Sequence, residues 1–143
     1  MASTVKRIET KRVDVLLADG GKAPFAPGTF AAVLLDGPCS GTGVLRHHPE
    51  GRWKLKARVP VLKGRALVDL AAAAVDLLAP GGMLMYGTCS LEQEENEAVI
   101  DALMKQRDDL EPAYASCGRW RRTWLPGEAQ GDGFFAARMR KKG

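Results

Sequence analysis

The sequence predicts an α/β domain, a mostly parallel sheet with flanking helices, and three observations predict it. The runs Phe30–Leu35 and Met83–Tyr86 are apolar at successive positions, the pattern of strands covered on both faces. Each runs into a turn of small and polar residues, Asp36-Gly37-Pro38 and Gly87-Thr88-Cys89-Ser90. Between them, apolar residues recur at helical spacing, and strands alternating with helices are the signature of this class.

The elements follow in order. Val13, Val15, Leu16 and Leu17 form a β-branched and aliphatic run that stops at Asp19-Gly20-Gly21, which reads as a strand entering a loop. Phe30–Leu35 is the second strand. Leu62, Ala66, Leu67, Leu70, Ala73, Ala74, Leu77 and Leu78 then mark a helix that ends before Pro80-Gly81-Gly82. Met83–Tyr86 is the third strand. Ser90, with Gln93 three residues on, has the spacing of a capping box, and Glu92, Glu94 and Glu95 suit a first helical turn; that helix is expected to run to about Arg107. Asp132-Gly133 is a turn, and Phe134–Met139 a terminal strand antiparallel to one around Ala113–Trp120.

A chain of 143 residues, 45% apolar and 27% charged, suffices for one core, so a single domain over residues 1–143 is expected. Asp69 and Asp76 interrupt the longest apolar stretch, leaving nothing near the ~20 residues a membrane helix needs. Met1–Arg12 is basic without an apolar segment, unlike a secretory signal. Three cysteines without metal-type spacing point to free thiols, no metal, and an intracellular protein, cytoplasmic or organellar. From Arg46 to Arg65 seven Lys/Arg face the single Glu50, with Trp53 among them. Such a segment can pair with phosphates and stack on a base, or be a solvated face.

Two cysteines carry the chemistry. Cys39 and Cys89 each lie just past the carboxyl end of a predicted parallel strand, where ligands bind in sheets of this class. If the strands are neighbours, both thiols open onto one crevice. Cys89 also precedes the predicted helix, whose N-terminal end favours a thiolate, so Cys89 is expected to be the stronger nucleophile.

The motifs Asp36-Gly37-Pro38-Cys39-Ser40-Gly41-Thr42-Gly43, Arg46-His47-His48-Pro49-Glu50-Gly51-Arg52-Trp53, Thr88-Cys89-Ser90, Glu94-Glu95-Asn96 and Asp132–Arg138 occur in one order. The chain thereby resembles the RsmB/Sun/Nop family of RNA cytosine-5 methyltransferases from about Val13 onward. The resemblance implies a Rossmann-like class I methyltransferase sheet, S-adenosyl-L-methionine as cofactor and RNA, most plausibly ribosomal, as partner. It implies that Cys89 attacks C6 of cytosine, making C5 nucleophilic toward the methyl donor, and that Cys39 assists release. Asp36 is implied near the methionine part of the cofactor and the cytosine ring, and Asp19 at the adenine amino group. Pro38, Arg46, Arg52 and Lys54 are implied on the RNA side, with the target base leaving its stack.

Departures accompany the resemblance. The family's Gly-rich cofactor turn, expected some tens of residues before Val13, is not among these 143 residues, nor is the acidic residue that ends the following strand. An incomplete cofactor site and a truncated catalytic portion are therefore expected. The Val13 strand would then pair directly with the Phe30 strand, another chain would complete the sheet, or the sequence is a fragment. Gly37, Gly87 and Gly51 stand where the family more often has Ala, Ser and a bulky apolar residue. The rival reading is a catalytically inactive RNA-binding or ribosome-associated protein that keeps half of the fold.

Overall fold

A computed structural model describes residues 13–128 and 131–143, apart from the Lys54 side chain. The sheet has five strands: β1 (Phe30–Asp36), β2 (Leu78–Thr88), β3 (Leu110–Pro112), β4 (Arg121–Trp124) and β5 (Phe134–Lys141). β1 and β2 pair in parallel, with Asp36 opposite Gly87. β5 lies antiparallel against β2 along one edge, and β3 and β4 share its other edge. Four strands thus run one way and β5 alone runs against them, as expected for a mostly parallel sheet with a terminal antiparallel strand.

Three helices accompany the sheet: a single turn α1 (Gly51–Lys54), the long α2 (Arg58–Asp76) and α3 (Glu97–Gln106). α2 begins four residues before the apolar period at Leu62, because Pro60 sits in its first turn, where a missing N–H costs nothing. Leu67, Ala71, Ala74 and Val75 of α2 and Val99, Ile100 and Leu103 of α3 bury against Leu84 and Tyr86 of β2 and Phe135, Ala137 and Met139 of β5. Tyr86 and Phe135 meet edge to face at 6.1 Å, a geometry aromatic quadrupoles favour. This is one face of the sheet. On the other face Leu34 is 73% exposed, and no helix among the described residues packs there.

Three sequence expectations are corrected. Val13–Leu17 is not a strand: among the described residues no ladder partner lies beside it, and Leu17 is almost wholly exposed. Strands form only where a neighbour satisfies their N–H and C=O groups; β1, the nearest candidate, is paired on its β2 side only. Direct pairing of the Val13 segment with the Phe30 strand does not occur. Ala113–Trp120 is a loop between β3 and β4, because Gly118 takes a left-handed φ of 74° and the Ala115–Gly118 turn doubles the chain back. Ser90 does not cap a helix. A 3-10 turn over Gln93–Glu95 intervenes, and α3 starts only at Glu97.

Candidate active site

The parallel register of β1 and β2 carries one hydrogen bond past the strand, from Gly37 N–H to Gly87 O at 3.0 Å. The chain then leaves β1 through Pro38 and returns at Gly43, whose N–H donates to Cys89 O at 2.9 Å. The intervening loop is therefore fastened at both ends to the exit of β2. Cys39 Sγ and Cys89 Sγ come to 3.2 Å of each other.

A polar cluster beneath the thiols fixes this approach. Glu95 is fully buried, and its carboxyl group accepts from Ser40 N–H at 2.8 and 3.1 Å and from Ser40 Oγ at 2.6 Å. The Ser40 and Ser90 hydroxyls meet at 3.2 Å, and Thr42 Oγ1 accepts from Leu91 N–H at 2.9 Å. Asn96 donates from Nδ2 to Ser90 O and accepts from Thr88 Oγ1. Tyr86 O–H donates to Glu95 O, and burial, with Cys39 and Glu95 nearby, pushes its phenol well above the ordinary range. With each buried polar atom partnered, the cluster is rigid. Ser40, after Cys39, is thus tied directly to the Glu95 carboxyl group, and Ser90, after Cys89, is linked to it through the Ser40 hydroxyl.

The electrostatics of Cys89 correct another expectation. Its thiol is pushed up to about 11, by burial first, then by the hydrogen bond and charge of Cys39, with Asp36 adding to the shift. The stabilised thiolate expected from a helix N-terminus is not found, because the helix begins eight residues later, at Glu97.

Other predicted residues are placed as follows. Asp36 is exposed at the end of β1. Pro38 O accepts from Lys63 Nζ at 3.3 Å, at the rim of a cavity of about 300 Å³ lined by Cys39, Ser40, Gly51, Leu55, Val59 and Lys63. Arg46 turns to Asp132, Nε to Oδ1 at 2.5 Å, with His47 at the other carboxylate oxygen. Arg52 lies 5.9 Å from the ring of Trp53, which is 83% exposed. The Lys54 side chain lies outside the described atoms. Asp19 accepts from Gly21 N–H at 2.9 Å and caps a 3-10 turn over Gly20–Lys22 packed on Leu70; it lines none of the cavity beside Cys39.

A model of the family described as 16S rRNA methyltransferase RsmB/F matches residues 1–140. The chain belongs to this family. It is 38% identical over 116 residues to ribosomal RNA small subunit methyltransferase B of Salmonella arizonae, covering 79% of this chain and 27% of that protein. To the protein of the same name from Shigella boydii it is 39% identical over 119 residues, again covering 79% and 27%. The chain thus spans about a quarter of the length of these relatives. Among solved structures, that of PH0851 superposes with a TM-score of 0.89 at 30% identity, over 98% of this chain and 33% of that one. NSun6 from Pyrococcus horikoshii, in a structure with SFG, gives 0.81 at 25% identity, over 99% and 38%.

Two RsmB/F departures acquire a packing reason. A Cβ on Gly37 would stand 2.2 Å from Cδ2 of buried Leu67, and one on Gly87 would stand 2.9 Å from the Phe134 ring. The larger neighbours occupy the space that Ala and Ser would take. Sequence reasoning missed Glu95 as a site residue, treating it as a first-turn acid; its place in Glu94-Glu95-Asn96 was the available signal. It also missed Lys63, which was counted in the basic run but not placed at Cys39. Among the described residues no cluster of His, Cys, Asp and Glu could hold a metal ion, and no helix is long and apolar enough to cross a membrane.

Proposed function

We propose that this chain carries the chemistry of RNA cytosine-C5 methyl transfer, with ribosomal RNA as substrate and an intracellular place of work. The observation that carries the reading is the pair of thiols 3.2 Å apart at the carboxyl ends of adjacent parallel strands. Cys89 is the nucleophile toward C6, since addition there places electron density on C5. Its high proton affinity means that the proton must leave as the sulfur adds, and Cys39 Sγ is the nearest acceptor. Cys39 passes that proton to solvent, so that after methylation its sulfur is free to take the C5 proton as the C6–sulfur bond breaks and Cys89 leaves as thiolate. Asp36 hydrogen-bonds the base.

The donor set suits S-adenosyl-L-methionine in part: the exposed carboxylates of Asp36 and Asp19 match its ammonium and adenine amino groups, and the cofactor supplies the methyl group. SFG, bound in the NSun6 structure, is an analogue of it, which supports the choice. Pro38, Lys63 and the basic Arg46–Arg65 segment, with Arg52, Lys54 and exposed Trp53, face the RNA in this reading.

A second reading, an RNA-binding protein without turnover, is favoured by the raised proton affinity of Cys89. Tritium transfer from labelled S-adenosyl-L-methionine to unmodified ribosomal RNA separates the two. The methyltransferase reading expects transfer by the chain, a covalent protein–RNA adduct with Cys39→Ala, and neither with Cys89→Ala. RNA binding with no transfer and no adduct establishes the second reading. Transfer by the unmodified chain without an adduct from Cys39→Ala overturns the assigned roles.

A further inference from the structure

We propose that Cys39 and Cys89 are an oxidation site, closing a reversible intramolecular disulfide under a hydroperoxide. A disulfide needs its sulfurs at about 2.05 Å and its Cα atoms about 4.4–6.8 Å apart. The sulfurs stand at 3.2 Å, so about 1.2 Å of approach remains. The strands that deliver them are parallel neighbours, roughly 4.8 Å apart, so the two segments leave the sheet side by side.

The backbone on either side is held. Gly37 and Gly43 bond to Gly87 and Cys89, and Ser40, next to Cys39, is fastened to Glu95. The loop cannot carry Cys39 away from its partner, so side-chain rotation closes the remaining gap. Cys117, the third cysteine, is exposed on the β3–β4 loop and lines a different cavity, with Met85 and Ala136. It serves as an internal reference.

The chemistry balances with one hydroperoxide. A thiolate of the pair attacks a peroxide oxygen, giving a sulfenic acid and hydroxide. The second thiol then displaces that oxygen, the S–S bond forms, and water leaves with its proton. Two thiols lose two electrons and two protons, and hydrogen peroxide becomes two waters. The raised proton affinity of Cys89 makes the first step slow near neutrality and faster as pH rises. That oxidation would stop methyl transfer rests on the function proposed above, but thiol pairing does not, and it is read without RNA or cofactor.

The test treats the whole 143-residue chain with hydrogen peroxide, blocks remaining thiols with iodoacetamide, and reads intact mass and a non-reducing peptide map. Alkylated cysteines are expected to fall from three to one, with Cys39 and Cys89 peptides linked, Cys117 alkylated, and dithiothreitol restoring all three. A second measurement needs no variant. Against glutathione, the effective concentration of the pair should be ~100-fold higher in the folded chain than in urea, since folding replaces a flexible loop by oriented thiols. Monomers with Cys39 and Cys89 unlinked, sulfinic or sulfonic products without linkage, or an effective concentration no higher when folded would each overturn the proposal. Linkage without any methyl transfer would uphold this site and count against the proposed function alone.

Discussion

Gly43→Ala probes the junction on which the thiol geometry depends. A Cβ at position 43 would stand 2.2 Å from Gly133 O, 2.6 Å from Gly133 C and 2.9 Å from Cys89 O. Ordinary contact begins near 3.4 Å, and all three neighbours are backbone atoms that no rotamer change removes. Relief requires an opening of about 1.2 Å, which stretches the Gly43 N–H to Cys89 O and Gly133 N–H to Gly43 O bonds from 2.9 Å to roughly 4 Å, past hydrogen-bonding range. Two lost bonds at about 1 kcal/mol each, plus the cost of unpaired groups beside the buried Gly43, come to about 3–4 kcal/mol. The lower entropy of the unfolded alanine chain offsets about 0.4–1 kcal/mol. Urea unfolding followed by tryptophan fluorescence should therefore show a loss of about 2–3.5 kcal/mol, and peroxide should no longer link Cys39 to Cys89. An unfolding midpoint equal to or above that of the unmodified chain would refute the close approach.

Gly37→Ala should cost about 1–3 kcal/mol through overpacking against Leu67. In the double variant with Leu67→Ala the two penalties should sum to less than their parts, and strict additivity in a thermal-melt cycle would dissociate the sites. Alkylation of Cys89 by iodoacetamide, followed by peptide mass, should rise about tenfold per pH unit from neutrality toward its raised value of about 11. A plateau below pH 9 would contradict that shift. The same shift makes the folded thiol hold its proton more tightly than the unfolded one, so its contribution to stability is complete below about 9 and is lost as pH rises from about 9 to about 11. Glu95→Ala should cost about 3–5 kcal/mol by orphaning Ser40 and opening a buried space. Glu95→Gln, which keeps one acceptor for Ser40 N–H, should recover most of it, and equal losses in urea titrations would argue against the carboxyl as the clamp.

What was legible in the sequence was what depends on local pattern. The apolar runs at Phe30 and Met83 located the paired strands, and the small-residue turns after them located Cys39 and Cys89. Properties that depend on a partner were not legible. Val13–Leu17 has strand composition but no ladder neighbour among the described residues. Ser90 and Gln93 have capping-box spacing, yet Ser90 O is taken by Asn96 and the Ser90 hydroxyl accepts from Glu92 N–H, so the helix waits until Glu97. The pairing of Arg46 with Asp132, 86 residues away, is likewise visible only once the chain has folded. Glu95 reads as a surface acid because burial is a property of the assembled fold.

The position of β5 bears on the order in which the molecule can be made. Of the described strands, β3 and β4 have β5 as their sole partner, and β2 uses it to complete its second edge. Until Phe134–Lys141 is available, β1, β2 and the helices can form only an open two-stranded unit, whose Leu84 and Tyr86 lack the cover of Phe135, Ala137 and Met139. Pairings of Met83–Thr88 with Phe135–Arg140 close a loop of some fifty residues, and closures of that span are made late because their entropy is lost before any contact rewards it. A nascent chain stalled ahead of Asp132 would therefore display both cysteine motifs on an unfinished sheet, and the Gly133 N–H to Gly43 O bond that braces the first motif from its other side would not yet exist.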